Sequence, residues 1–407
     1  MKPSPSDAAA GQPMLSVNEV RLGLRAWLVV LAIVVGCAVA VPAVWKRAER
    51  FQIGPDFRIP YALSTDYWLY QRRLEEITDP RAVAVLGDSV VWGQYVRRGG
   101  TLTHFLDQEA GRPKGTVPFS SDENWDSPHR RLPERFLNCG VNGLFPLAME
   151  GLVDYYARSL RDRKVLLHYN VLWMSSPQAD LSVKKEKEFN HPRLVPQFVP
   201  RIPCYRADSN ERLSAVIERH VGLFAWVNHL DGLCFDQRSI PGWTLAEDGS
   251  EPPRRPNAWR NPLKQITWSV PEEAADDPER GPGSALHRPW REGYAPARFD
   301  WVGLDASLQW QAFQRVVGRL RSRGCDVLVL LGPFNEHMVA EEQRPVFRRL
   351  RDDIAAWLAD NGVAHVVPET LPSDLYADAS HPLTEGYALL ARRIYGDPAF
   401  QQWLAGN

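Results

Sequence analysis

Two short stretches near opposite ends of the chain carry residue types that perform acyl chemistry when they meet. The first is Val85-Leu86-Gly87-Asp88-Ser89. An apolar run ends, a glycine allows a tight turn, and a serine lands at the carboxyl end of the run. In open α/β sheets ligands bind at that edge. A serine there can also open a helix, whose free N–H groups then face whatever the hydroxyl attacks. Asp and Ser are equally ordinary helix N-caps, so this motif alone specifies no chemistry. The second stretch is Asp378-Ala379-Ser380-His381-Pro382, just before a terminal helical pattern. Asp378 and His381 give a base and its orienter: the carboxylate accepts from one ring nitrogen, fixes the tautomer and stabilises the imidazolium that forms. Taken by itself this pair reads equally well as a capped helix start with a surface histidine. Together, the two stretches predict Ser89 as nucleophile with Asp378 and His381 behind it.

The elements that would position them alternate in type. Residues 81–87 (RAVAVLG) read as a short buried strand ending in glycine, 101–110 as a helix, 135–140 (RFLNCG) as a second strand and 146–161 as a helix. Residues 164–170 (KVLLHYN) read as a third strand. After a long interruption come a helix at 305–323, a strand at 325–332 (CDVLVLLG), a helix at 338–360, a strand at 363–368 (VAHVVP) and a last helix at 383–396. Alternation of this kind implies parallel βαβ units with helices on both sheet faces. The expectation is one doubly wound α/β domain over 80–180 and 301–407, preceded by a neck at 46–79. The interruption at 181–300 is rich in Pro, Arg and Trp, shows few clean periods, and is far longer than an ordinary loop. It is expected to be loop-like or partly disordered material and to serve as a cap, lid or partner-binding element.

These blocks resemble the GDSL/SGNH hydrolase superfamily. Gly87-Asp88-Ser89, continued by Val90-Val91-Trp92-Gly93, matches the first block, and Asp378 with His381 matches the last. Asn138-Cys139-Gly140-Val141-Asn142-Gly143 is similar to the second block, with Gly143 best fitting the donor position. The third block, GxND in the family, reads His168-Tyr169-Asn170-Val171: the asparagine is kept, while His168 and Val171 replace the glycine and the aspartate. The resemblance implies a flavodoxin-like three-layer α/β/α fold and an oxyanion hole made by Ser89, Gly143 and Asn170. It covers roughly half of the chain and neither the neck nor the insertion. The implied activity is acyl transfer through an acyl-serine, by an esterase when water is the acceptor or by an O-acyltransferase when a sugar hydroxyl is. The expected substrate is an acyl ester, acetyl above all, of a carbohydrate or cell-envelope polymer. A second reading, favoured by the altered third block, is a non-catalytic scaffold or glycan-binding component of an envelope assembly.

Composition bounds the remainder. The chain has 407 residues, 44% of them hydrophobic, enough for a full-sized core. Its net charge of −1 gives no global basic field for nucleic acid. From Ala26 to Trp45 there is no charged residue, and about 20 apolar residues span a bilayer core of about 30 Å. Arg21 and Arg25 precede this stretch and Lys46, Arg47 and Arg50 follow it, so charge asymmetry does not orient it. Trp27 and Trp45 sit where interfacial anchors would. The stretch reads as a transmembrane anchor at 23–45 behind a cytoplasmic tail at 1–22. It also reads as a signal peptide cleaved after Ala38-Val39-Ala40, or as a buried core helix. Either of the first two places the bulk of the chain outside the cytoplasm. An anchor followed by an SGNH domain and an extra element is similar in layout to anchored proteins of bacterial polysaccharide O-acetylation, such as the alginate O-acetyltransferase family. That similarity implies a membrane-bound O-acyltransferase partner.

Other residues carry two readings each. Asn335 and His337 follow the fourth strand of the pattern and are candidate substrate contacts, or a polar loop at a helix start. His168 can hydrogen-bond within the site or be structural. Trp226, Trp243, Trp259, Trp268, Trp290 and Trp301 could stack on sugar rings, or pack the insertion's own core. Arg254, Arg255, Arg288 and Arg291 could meet an acidic polysaccharide, or be solvated. Cys204 and Cys234 could pair in an oxidising compartment, and Cys139 and Cys325 read as small core hydrophobes. No CxxC or His-rich spacing suggests zinc, and no cofactor is predicted.

Overall fold

A computed structural model describes residues 23–51, 56–111, 135–245, 261–270, 289–290 and 295–406. The tail at 1–22 and Arg254, Arg255, Trp259, Arg288 and Arg291 lie outside them. Helix α1 (Leu24–Ala48) leads into strand β1 (Arg50–Phe51) and helix α2 (Tyr67–Glu75). Then follow β2 (Val83–Gly87), the single turn α3 (Ser89–Trp92), α4 (Leu102–Gly111), β3 (Phe136–Gly140), α5 (Pro146–Tyr155) and β4 (Lys164–Tyr169). The long middle segment contributes α6 (Ser209–His220), α7 (Gly222–Cys234), α8 (Ile240–Leu245) and β5 (Ser269–Val270). The chain closes with α9 (Leu308–Ser322), β6 (Asp326–Leu331), α10 (Arg344–Asp360), β7 (Ala364–Val366), α11 (Thr384–Gly396) and α12 (Pro398–Ala405).

Five strands form one parallel sheet in the order β3-β2-β4-β6-β7. Because side chains alternate across a strand, each strand feeds two cores. Ala84, Leu86, Val165, Leu167, Val327 and Val329 pack with α2, α5, α9 and α10 on one face. Val83, Val85, Leu166, Leu328 and Leu330 pack with α3, α4, α11 and α12 on the other. This explains why β2, VAVLG, is buried along its whole length rather than alternating. The second strand in sequence lies outside the first, so the chain reverses direction across the sheet between β3 and β4. The carboxyl ends of β2, β3 and β4 therefore flank a crevice. Gly140 at the end of β3 is required there: a Cβ would lie 2.3 Å from the backbone nitrogen of Trp92 in α3.

Several boundaries differ from the expectations. The helix after β3 stops at Tyr155, and the buried Tyr156, Ala157 and Leu160 continue its apolar rhythm in turns. The helix expected from 338 begins at Arg344, where Pro345 fits a first turn, after two 3₁₀ turns at Glu336–Met338 and Glu341–Gln343. A separate terminal helix, α12, starts from the Asp397 N-cap. The middle segment, expected to be mostly irregular, holds three helices. Cys204 and Cys234 are unpaired thiols rather than a disulfide. Cys204 is buried in the main core, while Cys234 packs with Trp45, Leu230, Phe235 and Trp243 in a separate cluster.

That second cluster ties α1 to the rest. The helix is long and apolar enough to cross a membrane, and its window of highest hydropathy is almost wholly uncovered by protein. Only its last turns, at Pro42 and Trp45, are buried, where α7 packs against it. Trp226 and Trp268 lean on Trp45, and Trp301 instead joins Phe299, Phe334 and Phe347 on the main domain. Beneath Trp45 sits a buried charge cluster. Glu49 Oε1 accepts from Trp45 Nε1 at 3.0 Å and from His229 Nε2 at 2.7 Å, and its other oxygen pairs with Arg72. His229 Nδ1 donates to Asp66 Oδ2 at 2.6 Å. Burial alone would make His229 harder to protonate, but Asp66 and Glu49 on its two ring nitrogens outweigh it and push its pKa up to about 10. A histidine raised in the folded state stabilises fully below its ordinary value of about 6.5, and that contribution is lost as pH rises toward 10.

Removing the imidazole leaves two carboxylates buried with one fewer partner. His229→Leu is therefore expected to cost about 3–5 kcal/mol, read as a lowered melting temperature of the full chain in detergent. His229→Gln should flatten the decline in wild-type stability between neutral pH and pH about 10. Identical pH dependence in wild type and His229→Gln would refute the assignment.

Candidate active site

Ser89 is the first residue of α3, directly beyond β2, and its N-cap Asp88 receives the Val90 N–H at 2.9 Å. The second partner arrives from the far end of the chain. His381 Nε2 lies 2.7 Å from Ser89 Oγ, and His381 Nδ1 lies 2.8 Å from each oxygen of Asp378. The carboxylate only accepts, so Nδ1 carries the proton and Nε2 is left to accept from the serine hydroxyl. Asp378 Oδ1 also accepts the backbone N–H groups of Ser380 and His381, both at 2.9 Å. Burial pushes the Asp378 carboxyl up, but His381 and these N–H groups together hold it below the usual range. It therefore stays ionised through mildly acidic pH and remains an orienter there.

The loop that carries the pair is pinned from several sides. Asn335, fully buried, donates Nδ2 to the Asp378 carbonyl at 3.1 Å, and its own N–H reaches the Ala379 carbonyl at 2.8 Å. Tyr95 sets its ring edge-on to His381, centroids 5.3 Å apart. Tyr387 of α11 donates to the Val90 carbonyl at 2.8 Å, fastening the helix after His381 to the turn after Ser89. Asn335 thus positions the loop that carries Asp378. His337 Nε2 meets the Leu371 carbonyl at 3.0 Å, tying its 3₁₀ turn to that segment.

The residues expected to be oxyanion donors lie along the same sheet edge. Asn170, at the end of β4, is buried and gives one amide hydrogen to Asp88 Oδ2 at 3.0 Å, while its Oδ1 accepts from Leu172 N–H. His168 Nδ1 lies 3.1 Å from Asp88 Oδ1. Burial raises the Asp88 carboxyl, but His168 first, then His381 and Asn170, hold it below the usual carboxylate range. Asp88 is therefore a buried, ionised carboxylate next to Ser89, with His168 against it. Gly143 sits in the turn after β3 with φ +71°, a conformation that favours glycine. The neighbouring carbonyl, Asn142 O, accepts from His191 Nε2 at 2.7 Å, and His191 Nδ1 accepts from Tyr67 OH at 3.0 Å. Burial lowers the pKa of His191 and keeps this bridge neutral. Asn190 lies against Gly143 on the same side. The insertion thus supplies the support of the donor turn. No sequence signal marks His191 for this, because its partners lie far away along the chain.

Ser89, Asp378 and His381 come together as one hydrogen-bonded unit, with Gly143 and Asn170 on the ends of the two strands flanking β2. Among the described residues no group of three or more His, Cys, Asp or Glu side chains is arranged to hold a metal ion. A cleft of about 730 Å³ lies in the insertion, bounded by Phe189, Tyr205, Glu218, Phe224 and Asn228, and the triad does not line it. A comparison with protein-family models found no match. A comparison with curated proteins found none either.

The 2.7 Å contact of His381 Nε2 with Ser89 Oγ predicts a reactive hydroxyl. A fluorophosphonate probe should label Ser89 in the wild type. Asp378→Asn should slow it by roughly 10³–10⁴-fold, since the amide presents the wrong partner to Nδ1. Equal labelling of wild type and Asp378→Asn would show that the hydrogen bonds do not activate the serine.

Proposed function

We propose that this protein is an SGNH-type serine acyl-hydrolase or O-acyltransferase acting on acyl esters, acetyl above all, of a carbohydrate or cell-envelope polymer. The observation that carries the reading is the 2.7 Å contact of His381 Nε2 with Ser89 Oγ, backed by Asp378. Support for the flavodoxin-like form of the family comes from the strand order, which is 2-1-3-4-5 counted along the main sheet. In this reading His381 takes the Ser89 proton as Oγ attacks the ester carbonyl. Asp378 stabilises the imidazolium. The oxyanion is met by the backbone N–H groups of Ser89 and Gly143 and by the Asn170 amide. His381 then returns the proton to the leaving alcohol, and an acyl-Ser89 remains. Water or a sugar hydroxyl, deprotonated by His381, removes the acyl group and regenerates the serine.

In this reading α1 is an anchor and the domain is extracytoplasmic, as the resemblance implies. A transferase role would require a membrane-bound O-acyltransferase partner to deliver the acyl group across the bilayer. One observation favours the scaffold alternative: Asn170 sits in the altered block and already donates to Asp88.

The full chain in detergent should hydrolyse p-nitrophenyl acetate, and Ser89→Ala should not exceed the blank. Asn170→Ala should lower kcat roughly a hundred- to a thousandfold, as expected for one oxyanion donor. Equal rates for wild type and Ser89→Ala, with no labelling of Ser89, would leave the scaffold reading standing. With an acetylated donor and an oligosaccharide acceptor, a gain of acetyl mass on the sugar identifies the transferase, and hydrolysis without transfer identifies the esterase.

A further inference from the structure

Among the described residues of the insertion, α7, α8 and Ile266 pack around the end of α1. From Leu24 to Val41 the helix is bare, a length of about 27 Å at about 1.5 Å per residue. That nearly equals a bilayer hydrocarbon core of about 30 Å. From Pro42 onward the helix is enclosed by α7 and its neighbours. If α1 spans a bilayer, the protein surface around Pro42 and Trp45 lies at the headgroup level, because no spare helix separates the domain from the lipid.

Several residues surround that point with the chemistry of an interface. Trp268 stacks on Trp45, centroids 4.2 Å apart, and is still 53% exposed. The Arg50 N–H donates to the Trp268 carbonyl at 3.0 Å, and β1 pairs with β5 at once beyond it. Trp243 and Ile240 of α8, together with Ile266, pack in the Trp45 cluster. The same two short segments carry Leu245, 75% exposed, and Leu263, 77% exposed. Isolated exposed leucines need no explanation. Two of them on segments packed in the Trp45 cluster, with an exposed tryptophan stacked on Trp45, set three exposed apolar side chains around the foot of a bare apolar helix. Arg47, Arg50 and Lys264 are exposed beside them, as cations at a headgroup surface would be.

We propose that this rim, formed by Leu245, Leu263 and Trp268 with the flanking cations, docks on the lipid surface of the same bilayer that α1 crosses. The insertion is then a membrane collar. With the buried Glu49–His229–Asp66 cluster beneath it, the collar fixes how the domain is turned relative to the membrane. This inference rests on α1 as a spanning helix and not on the chemistry at Ser89.

The test uses the full chain in vesicles of phosphatidylethanolamine and phosphatidylglycerol, with intact mass showing that α1 is retained. Cys37, the one exposed native thiol among the described residues, is replaced by alanine. A nitroxide is then placed by Leu245→Cys, by Leu263→Cys, or by Asp352→Cys on the exposed face of α10 as reference. All three sites are exposed in the isolated chain, so folding is preserved, and this is checked by the melting temperature of each. Relaxation by oxygen, which concentrates in lipid, is expected to exceed relaxation by a water-soluble nickel chelate several-fold more at 245 and 263 than at 352. Ratios at 245 and 263 equal to that at 352 would overturn the proposal. So would protection from both relaxants, which marks a protein-covered surface, or loss of α1 from the intact mass. Because Ser89 is untouched, failure of this test leaves the acyl-transfer reading where it stood, and the converse also holds.

Discussion

One imidazole joins the two ends of the structure. His381 is hydrogen-bonded to a serine 292 positions earlier, and each element around it restricts where that ring can lie. The parallel sheet brings the ends of β2 and β6 to one edge. Asn335, at the end of β6, grips the loop that holds Asp378, and Tyr387 fastens the following helix to the turn after Ser89. A misplacement of about 1 Å at such a contact can cost about a hundredfold in rate.

Charge organisation follows the same logic at two places. Beneath Ser89, Asp88 is buried with His168 and Asn170 as partners; beneath Trp45, Glu49 and Asp66 are buried with His229 and Arg72. Buried carboxylates without partners would be far too costly. In the first cluster an ionised carboxylate lies next to Ser89. In the second it locks the end of an apolar helix to a folded domain. The insertion contributes His229 to the second cluster and, apart from either cluster, His191, which bridges Tyr67 and the Asn142 carbonyl.

How far the sequence speaks depends on whether the information is local. β2, β4 and β6 are continuous apolar runs because both faces are covered, and such runs read directly. Ser89, Asp378 and His381 are recognisable because their motifs are short. Asn335 stands in the right place, but its hold on the Asp378 loop is not legible, because the Asp378 carbonyl it meets at 3.1 Å lies 43 positions away. His191 and His229 are illegible for a different reason, since each meets partners far away along the chain. The helices of the insertion were partly readable. Asp208 and Glu211 make a capping box at the start of α6, a signal masked by the Pro- and Arg-rich surroundings.

In the proposed acyl transfer Ser89 carries the acyl group. The most direct measurement mixes the full chain with p-nitrophenyl acetate, quenches in acid within the first turnover, and maps the acetyl mass by peptide sequencing in the mass spectrometer. Acetyl is expected on Ser89 and absent in His381→Ala. Acetyl on surface lysines alone, with the Ser89 peptide unmodified in wild type, would contradict it.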